Sequence, residues 1–408
     1  MGRKNKFLIA ILVILAASVL MTSVLTAYLV ITRQQGDIDL AGQEEDLALL
    51  LTPTEPVVES RIAYVTDRSD DDYQTAIYVL EVGVGEQGYL DSRYIDGCED
   101  GIYVLPSWSP DGQKIAYLVQ VPREDGASED DYRSEVWVAA VDGSEQIRVS
   151  AVISGVLDSD WTVAAWSPDG TRVAFTAEVA ENTDTTIYVV RADGSGIEHR
   201  IPLEWYADRV FWSPTSDELL FFPQTRASKL GAFLLQLEGE QIVEVYEHVQ
   251  VADSWGATAD WSVNGIEFVI AHHLSQRILI VGTDGEASRA VQLNEGFPIE
   301  VAWSPDGAYI AITASTAPQQ NAEILYVLEL EAGRLTTAFN DGDRSIFLPD
   351  WSPDGGRVLF STIRDRQEGV PNPVEWPAST LWTYDVASSQ LQQLTPGEVH
   401  DGMGAWSP

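Results

Sequence analysis

The six residues AWSPDG at positions 165–170 decide the fold, because they return along the chain with little change. The same six letters stand at residues 302–307, while SWSPDG occupies residues 107–112 and DWSPDG occupies residues 350–355. A Trp-Ser pair occurs seven times in all, with its tryptophan at positions 108, 166, 212, 261, 303, 351 and 406. Successive pairs lie 42 to 58 residues apart. A repeat at this spacing indicates one structural unit of about 50 residues that is used several times.

Each residue of the motif has a physical reason to be there. Tryptophan is a large, rigid apolar side chain suited to packing between neighbouring units. Proline presets φ at about −65° for a tight turn, and glycine accepts the positive φ with which the chain returns. Serine can bond within the turn, and we interpret the aspartate as turn chemistry rather than as a catalytic acid. Two copies depart from the motif, SPTSDE after Trp212 and SVNG after Trp261, where Asn-Gly still supplies positive φ.

Two apolar runs follow each of the first six Trp-Ser pairs. The first runs are KIAYLV, RVAFTA, ELLFFP, IEFVIA, YIAITA and RVLFST, and the second runs include TIYVVRADG and RILIVGTDG. Runs of β-branched and aromatic residues bounded by turn residues predict strands. Tryptophan ends a strand a, the two runs are strands b and c, and a weaker segment is strand d. Four strands in about 50 residues are typical of a β-propeller blade.

The two ends of the repeat region complement each other. RIAYVTD (residues 61–67) and AIYVLEV (residues 76–82) match strands b and c without a preceding strand a, while GAWSP (residues 404–408) matches a strand a without its b. A closed ring would join them in one blade and remove the exposed edges of an open array. We therefore predict an all-β, seven-bladed propeller of four-stranded blades, closed by pairing of the N- and C-terminal strands. The alternative is a fragment that stops in the middle of a blade.

The copies WSPDGQKIAY (residues 108–117) and WSPDGTRVAF (residues 166–175) resemble the TolB-type propeller repeat, also called the WD40-like or PD40 repeat. WSPDGAYIAI (residues 303–312) and WSPDGGRVLF (residues 351–360) are close to the same pattern. The resemblance covers residues 61–408 and is specific for fold rather than function. It implies either a platform for protein interaction, as in periplasmic relatives, or the gating propeller of a peptidase, for which no residues remain here to form a hydrolase domain.

The first segment of the chain predicts a membrane anchor. Residues 7–31 hold 25 residues without a charge, and Arg3, Lys4 and Lys6 precede them. About 20 apolar residues span a bilayer, and the positive-inside rule places the short basic end in the cytoplasm. We expect a cytoplasmic tail over residues 1–6, a transmembrane helix over residues 7–31, a linker over residues 32–60 and the propeller over residues 61–408, outside the membrane of a bacterial cell. A cleaved signal peptide is the competing interpretation.

Composition excludes some functions. The net charge is −39 and only four lysines occur, so binding to nucleic acid through its phosphates is disfavoured. The single cysteine, Cys98, can form neither an internal disulfide nor a thiolate metal site by itself. The adjacent His272 and His273 should point to opposite faces of an extended segment, so we expect no shared metal.

No motif for catalysis or for a cofactor is present. The sequence lacks a G-x-S-x-G nucleophile elbow, an H-E-x-x-H zinc motif and a glycine-rich phosphate loop before a helix. The acidic runs do not match the spacing of a calcium loop. We expect no enzyme activity, no cofactor and no metal.

The loops between strands b and c are the longest and least regular, notably residues 122–134 and 364–379. Because loops on a rigid scaffold collect binding residues, Glu129, Asp130, Asp131 and Trp376 are the candidate partner-binding residues. The expected partner is another envelope protein or a peptide, and a small-molecule ligand is possible. Two alternatives stay open: an enzyme (hydrolase or lyase) with a carboxylate site at the channel mouth, and a structural subunit of an envelope complex.

Overall fold

A computed structural model describes residues 58–408 except residues 67–75, 84–90, 98–101, 123–131, 154–156, 159–162, 180–181, 208, 216, 224–229, 250–257, 273–274, 318–320, 343, 365–378 and 397–400. The predicted tail, the transmembrane segment over residues 7–31 and most of the linker therefore lie outside the described residues. Within the described part of the chain, no helix has the length and apolar character needed to span a bilayer.

The described residues form seven β-sheets, which we number as blades 1 to 7. Blade 1 contains β1 (Val58–Thr66), β2 (Ala76–Gly83) and β3 (Asp91–Gly97), and blade 2 contains β4 (Ile102–Trp108), β5 (Lys114–Pro122), β6 (Tyr132–Ala140) and β7 (Gln146–Arg148). A short 3-10 turn, Val149–Val152, follows β7. Blade 3 contains β8 (Leu157–Asp158), β9 (Ala165–Trp166), β10 (Arg172–Val179), β11 (Asn182–Arg191) and β12 (Ile197–Pro202).

The remaining blades follow the same order. Blade 4 contains β13 (Val210–Trp212), β14 (Glu218–Phe221), β15 (Leu230–Gln236) and β16 (Gln241–Val249), and blade 5 contains β17 (Ala259–Trp261), β18 (Glu267–His272), β19 (Arg277–Gly282) and β20 (Ala287–Gln292). Blade 6 contains β21 (Phe297–Trp303), β22 (Tyr309–Ser315), β23 (Ile324–Glu329) and β24 (Arg334–Asn340), and blade 7 contains β25 (Arg344–Trp351), β26 (Arg357–Arg364), β27 (Ser379–Asp385) and β28 (Gln390–Gln393). The last strand, β29 (Asp401–Trp406), returns to blade 1.

The predicted closure of the ring is confirmed. Strand β29 pairs antiparallel with β1, with Ile62 opposite Trp406, so blade 1 has the order β29-β1-β2-β3. Beyond the strand, the backbone N–H of Ser407 donates to the carbonyl of Arg61 at 2.8 Å, and the N–H of Arg61 donates to Ser407 Oγ at 3.1 Å. The predicted strands b and c are also present in all seven blades.

One blade departs from the expected single strand a. In blade 3, both β8 and β9 pair with β10, so its innermost strand consists of two short pieces. Bulges interrupt the innermost strand in other blades too, for example between Val104 and Ser107 and between Phe347 and Asp350. The bulges place extra residues on the inner strand, where it can contact the next blade.

The turn chemistry of the repeated motif is confirmed. In blade 3, Ser167 Oγ donates to Asp169 Oδ1 at 2.6 Å, and the same oxygen accepts the N–H of Thr171 at 3.0 Å. Gly170 has φ +68°, and its N–H donates to the Ser167 carbonyl at 2.9 Å. These bonds to Ser167 and Thr171 hold the pKa of Asp169 at about 2. The carboxylate is therefore a structural part of the turn.

Tryptophan side chains wedge between neighbouring sheets, as predicted. Trp212 of blade 4 is 8% exposed and belongs to one apolar cluster with Ile187 and Val189 of blade 3. Because each sheet is covered by a neighbour on both sides, strands b and c are buried on both faces and do not alternate with polar residues. Strand β22, for example, is buried from Ile310 to Ser315.

The meander order of the strands gives the ring two faces. The turns between strands a and b and between c and d lie on one side, which we call the turn face, and the b–c and d–a connections lie on the other, the loop face. Neighbouring a–b turns touch on the turn face, since a Cβ added to Gly170 would meet Pro110 Cδ at 3.6 Å and one added to Gly355 would meet Asp306 Cγ at 3.0 Å. The axis of the ring is surrounded by the innermost strands, which contact one another from blade to blade.

Candidate functional site

The innermost strands form the candidate site, because they surround the axis and carry polar groups across six of the seven junctions between blades. Four of the seven motif tryptophans donate their indole N–H to a carbonyl of the preceding blade. In each case the acceptor is the residue just before that blade's own tryptophan. The four pairs are Trp108 with Ala405 (2.9 Å), Trp166 with Ser107 (3.1 Å), Trp261 with Phe211 (3.1 Å) and Trp351 with Ala302 (3.0 Å).

Two other junctions use a carboxylate instead. Asp260 stands before Trp261, and its Oδ1 and Oδ2 accept the backbone N–H groups of Trp261 (2.8 Å) and of Trp303 in the next blade (2.6 Å). Asp350 does the same between Trp351 (2.8 Å) and Trp406 (2.5 Å). Each aspartate therefore joins two blades through one side chain, and these are charge-assisted bonds of the stronger kind.

At these two junctions, the tryptophan of the following blade makes no inter-blade indole bond. The Trp406 indole N–H has no acceptor among the described residues, and that of Trp303 reaches only its own turn, at Gly307 O, 3.4 Å away. A junction that has an aspartate bridge thus lacks the inter-blade indole bond, and a junction that has the indole bond lacks the aspartate bridge.

The junction between blades 3 and 4 depends on an arginine. Arg172 Nη2 donates to Asp217 Oδ1 at 2.6 Å, and its guanidinium carbon lies 5.0 Å from the ring centre of Trp212. The Trp212 indole N–H again has no acceptor in the described part of the chain. A cation over an indole face contributes an attraction of its own, so this side chain joins the blades in place of the indole bond.

A third inner acid, Glu300, joins blades 6 and 7. Its Oε2 accepts the backbone N–H of Leu348 at 2.6 Å. Leu348 lies in the bulge of β25 and has φ +54°, a left-handed conformation that non-glycine residues rarely adopt. The bulge takes this N–H out of the regular ladder, and Glu300 supplies its acceptor.

Burial raises the pKa of all three inner acids. For Asp260 the pKa rises to about 7, mainly through burial, while bonds from Trp303 and Trp261 oppose the rise and the Asp350 charge adds to it. For Asp350 burial raises the pKa to about 6. Burial also raises the pKa of Glu300, against the charge of Arg209 and the bond from Leu348. Asp260 and Asp350 therefore change charge close to neutral pH. All three acids contact the next blade.

We expect Asp260→Ala to cost more stability at pH 5 than at pH 8. The pKa of Asp260 in the folded protein is about 7, above the usual 3.8, so the folded state binds this proton more tightly than the unfolded state does. The resulting stabilisation is complete below pH 3.8 and is lost as pH rises through about 7. Because Asp260 keeps some contact with solvent, we expect a difference on the order of 1–2 kcal/mol in the free energy of unfolding. Urea unfolding at the two pH values measures it.

Asp169→Ala is the matched control for this experiment. Its folded pKa of about 2 lies below the usual 3.8, so its contribution is lost only in acid and should be equal at pH 5 and pH 8. Equal costs for Asp260→Ala at both pH values would show that its carboxyl group does not titrate in this range.

The predicted partner-binding residues, Glu129, Asp130, Asp131 and Trp376, all lie outside the described residues. The same is true of Cys98 and His273. His272 is 7% exposed and its Nδ1 lies 2.8 Å from Ser275 Oγ, while burial lowers its pKa. Within the described ranges, no three His, Cys, Asp or Glu residues are grouped so that they could hold a metal ion.

The inner acids were missed from the sequence, although a signal was present. The residue before the motif tryptophan is small in four copies, namely Ser107, Ala165, Ala302 and Ala405, but acidic at 260 and 350. A carboxylate next to a buried tryptophan is costly unless hydrogen-bond donors lie nearby. The register that brings Trp303 and Trp406 to these carboxylates appears only when the blades are assembled.

The chain is similar to several solved structures. TolB from Acinetobacter baumannii is 17% identical over 85% of this chain and 82% of its own, with a TM-score of 0.48. A putative TolB from Agrobacterium tumefaciens is 13% identical over 82% of this chain and 88% of its own, with a TM-score of 0.42. A prolyl endopeptidase is 13% identical over 84% of this chain and 49% of its own, and its TM-score of 0.56 shows the shared fold.

Sequence comparison gives the family directly. No curated protein sequence matches the chain. The family model described as the TolB beta propeller domain matches residues 49–300, which is more than half of the chain. With seven closed blades and the repeated Trp-Ser turn, the chain belongs to the TolB β-propeller domain family.

Proposed function

We propose that this protein is a membrane-anchored, extracytoplasmic propeller that serves as a platform for binding another envelope protein or a peptide. The observation that carries the proposal is the contrast between the two faces. The six a–b turns within residues 109–356 all have the same length. The b–c connections differ in length, from the shortest at residues 180–181 to the longest at residues 365–378. Variation concentrated on one face of a rigid ring is the usual arrangement of a binding surface.

The inner acids support a scaffold better than an enzyme. A carboxylate site at the channel mouth would need oxygens free to meet a substrate. Both oxygens of Asp260 and of Asp350 already accept backbone N–H groups that join blades, and Glu300 accepts one as well. Their raised pKa values follow from burial at these junctions and require no catalytic role.

The anchor is part of the proposal and rests on the sequence. The uncharged residues 7–31 are long enough to cross a bilayer, and three basic residues precede them. The family match begins at residue 49, after this segment. In this arrangement the propeller would share the extracytoplasmic side with other envelope proteins.

Photo-crosslinking in intact cells tests the platform. A photoreactive phenylalanine at position 376, in the longest b–c connection, should form a discrete adduct with a partner protein. The same residue at position 113, which is exposed in the a–b turn of blade 2 on the turn face, should form none and is the matched control. Substitution of Glu129, Asp130 and Asp131 by serine should weaken the adduct severalfold.

The outcomes separate the possible roles. Equal adducts from positions 113 and 376, or none from either, would contradict a loop-face platform. Extraction of the same membranes with alkaline carbonate checks the anchor, since a retained helix keeps the protein in the pellet whereas a cleaved signal peptide releases it.

A further inference from the structure

The outermost strand of blade 4, β16, differs from the outer strands of the other blades. Outer strands in a propeller have one open edge, and proteins usually keep such edges short or place a cation on them. Strands β7 and β28 are short, and the remaining outer strands each contain an arginine, at positions 93, 200, 289 and 334. Strand β16 spans Gln241–Val249 and contains neither lysine nor arginine.

The first part of β16 is a regular strand with an open outer edge. Gln241 to Glu244 pair in register with Gln236 to Phe233 of β15, before the register shifts next to Tyr246. Strand β16 is the last strand of its sheet, and no described strand pairs with its outer side. We call Gln241–Glu244 the rim edge.

The rim edge exposes apolar side chains in addition to backbone groups. Ile242 is 37% exposed and Val243 is 43% exposed. Adjacent residues of a strand point to opposite faces, so a strand added to this edge would find an apolar contact on each face. An edge of this kind is where an extended segment of another protein can pair.

The negative charge around the rim edge favours a cationic partner segment. The hairpin of β15 and β16, residues 230–249, contains four glutamates (positions 238, 240, 244 and 247) and no lysine or arginine. Glu238 and Glu244 are exposed, and so is Glu240, whose Oε1 lies 3.0 Å from His199 Nδ1 of blade 3. A second copy of this chain would bring the same glutamates together, and the net charge of −39 opposes such pairing. A cationic strand has the opposite charge pattern.

We propose that the rim edge accepts an extended segment of a partner protein in which lysine or arginine alternates with apolar residues. Backbone hydrogen bonds would extend the blade 4 sheet by one strand, the apolar residues would contact Ile242 and Val243, and the cations would meet the glutamates. The inference deepens the platform role proposed above and rests on it for its biological meaning. The surface is nevertheless distinct, because β16 follows a c–d turn and its rim edge therefore lies towards the turn face.

The test uses the full-length protein in detergent micelles and a synthetic twelve-residue peptide of alternating valine and lysine. A second peptide of the same sequence carries N-methyl groups on alternate residues, which keeps the charge but prevents strand pairing. Fluorescence anisotropy should show the first peptide binding about tenfold more tightly than the second. Hydrogen exchange should show protection of the amides of Gln241–Glu244 when the first peptide binds.

Three variants locate the binding. Val243→Lys and Glu244→Lys each place a cation on the rim edge and should weaken binding about tenfold. Leu391→Lys is the matched control, because Leu391 is 42% exposed on the outer strand β28 and its substitution should change binding less than about twofold.

Several outcomes would overturn the proposal. Equal affinity for the two peptides would show that charge alone drives binding, and equal effects of Val243→Lys and Leu391→Lys would place binding elsewhere. A dimer of the unbound protein in sedimentation equilibrium that Val243→Lys abolishes would assign the edge to a second copy. Loss of the position-376 adduct with intact peptide binding would contradict only the loop-face proposal, so the two tests fail independently.

Discussion

A chain that ends at residue 400 is expected to lose the cooperative thermal unfolding of the propeller. The truncation removes β29, and with it the buried Trp406, which packs with Ile62, Tyr64, Leu359 and Leu381. Loss of one buried tryptophan side chain costs about 3–5 kcal/mol, and the whole stability of a domain is about 5–15 kcal/mol. The inner edge of β1, which pairs with β29 in the full chain, would also be exposed to solvent.

The hydrogen bonds that β29 makes with neighbouring blades add to this loss of stability. Asp350 Oδ2 would lose the N–H of Trp406, and the Trp108 indole would lose the carbonyl of Ala405. A buried group left without its partner costs about 1–3 kcal/mol. Differential scanning calorimetry measures the result, and we expect either no cooperative transition or a melting temperature lower by more than about 10 °C.

A control and a rescue make this result specific to closure. A chain that lacks only the exposed Pro408 should melt within a few degrees of the full chain. The free peptide DGMGAWSP, added in excess to the truncated chain, should raise its melting temperature by binding in place of β29. A truncated chain that melts like the full one would show that the ring does not depend on its last strand.

The second large effect is expected for Trp351→Ala. Trp351 is 5% exposed, lies 5.9 Å from the ring centre of Tyr309 and donates its indole N–H to Ala302 of the preceding blade. Removing the side chain leaves a cavity between blades 6 and 7 and an unpaired carbonyl. We expect the free energy of unfolding to fall by about 3–5 kcal/mol in urea titrations.

Two phenylalanine variants separate the contribution of tryptophan packing from that of the indole hydrogen bond. Trp351→Phe keeps most of the apolar contact and loses the indole bond, whereas Trp406→Phe loses no indole bond, because that N–H has no acceptor among the described residues. The first should therefore cost about 1 kcal/mol more than the second. If both variants cost the same, the indole bond does not contribute to joining the blades.

The repeated unit of the protein can be predicted from the sequence alone, because the unit is built from local chemistry. Pro, Asp and Gly after tryptophan specify a tight turn within a few residues, as the bonds around Asp169 show. The separated halves of blade 1, at residues 61–67 and 404–408, were also evident from the sequence, since a propeller leaves no strand without a neighbour.

How the blades are joined becomes evident only from the assembled ring. Whether a junction uses an indole, an aspartate or an arginine depends on atoms that are far apart in the chain: 43 residues separate Asp260 from the N–H of Trp303, and 297 separate Trp108 from Ala405. The raised pKa of Asp260 likewise follows from burial between sheets and from the distant Asp350. Local patterns specify turns and strands, but hydrogen bonds between sheets depend on register and packing that exist only in the closed ring.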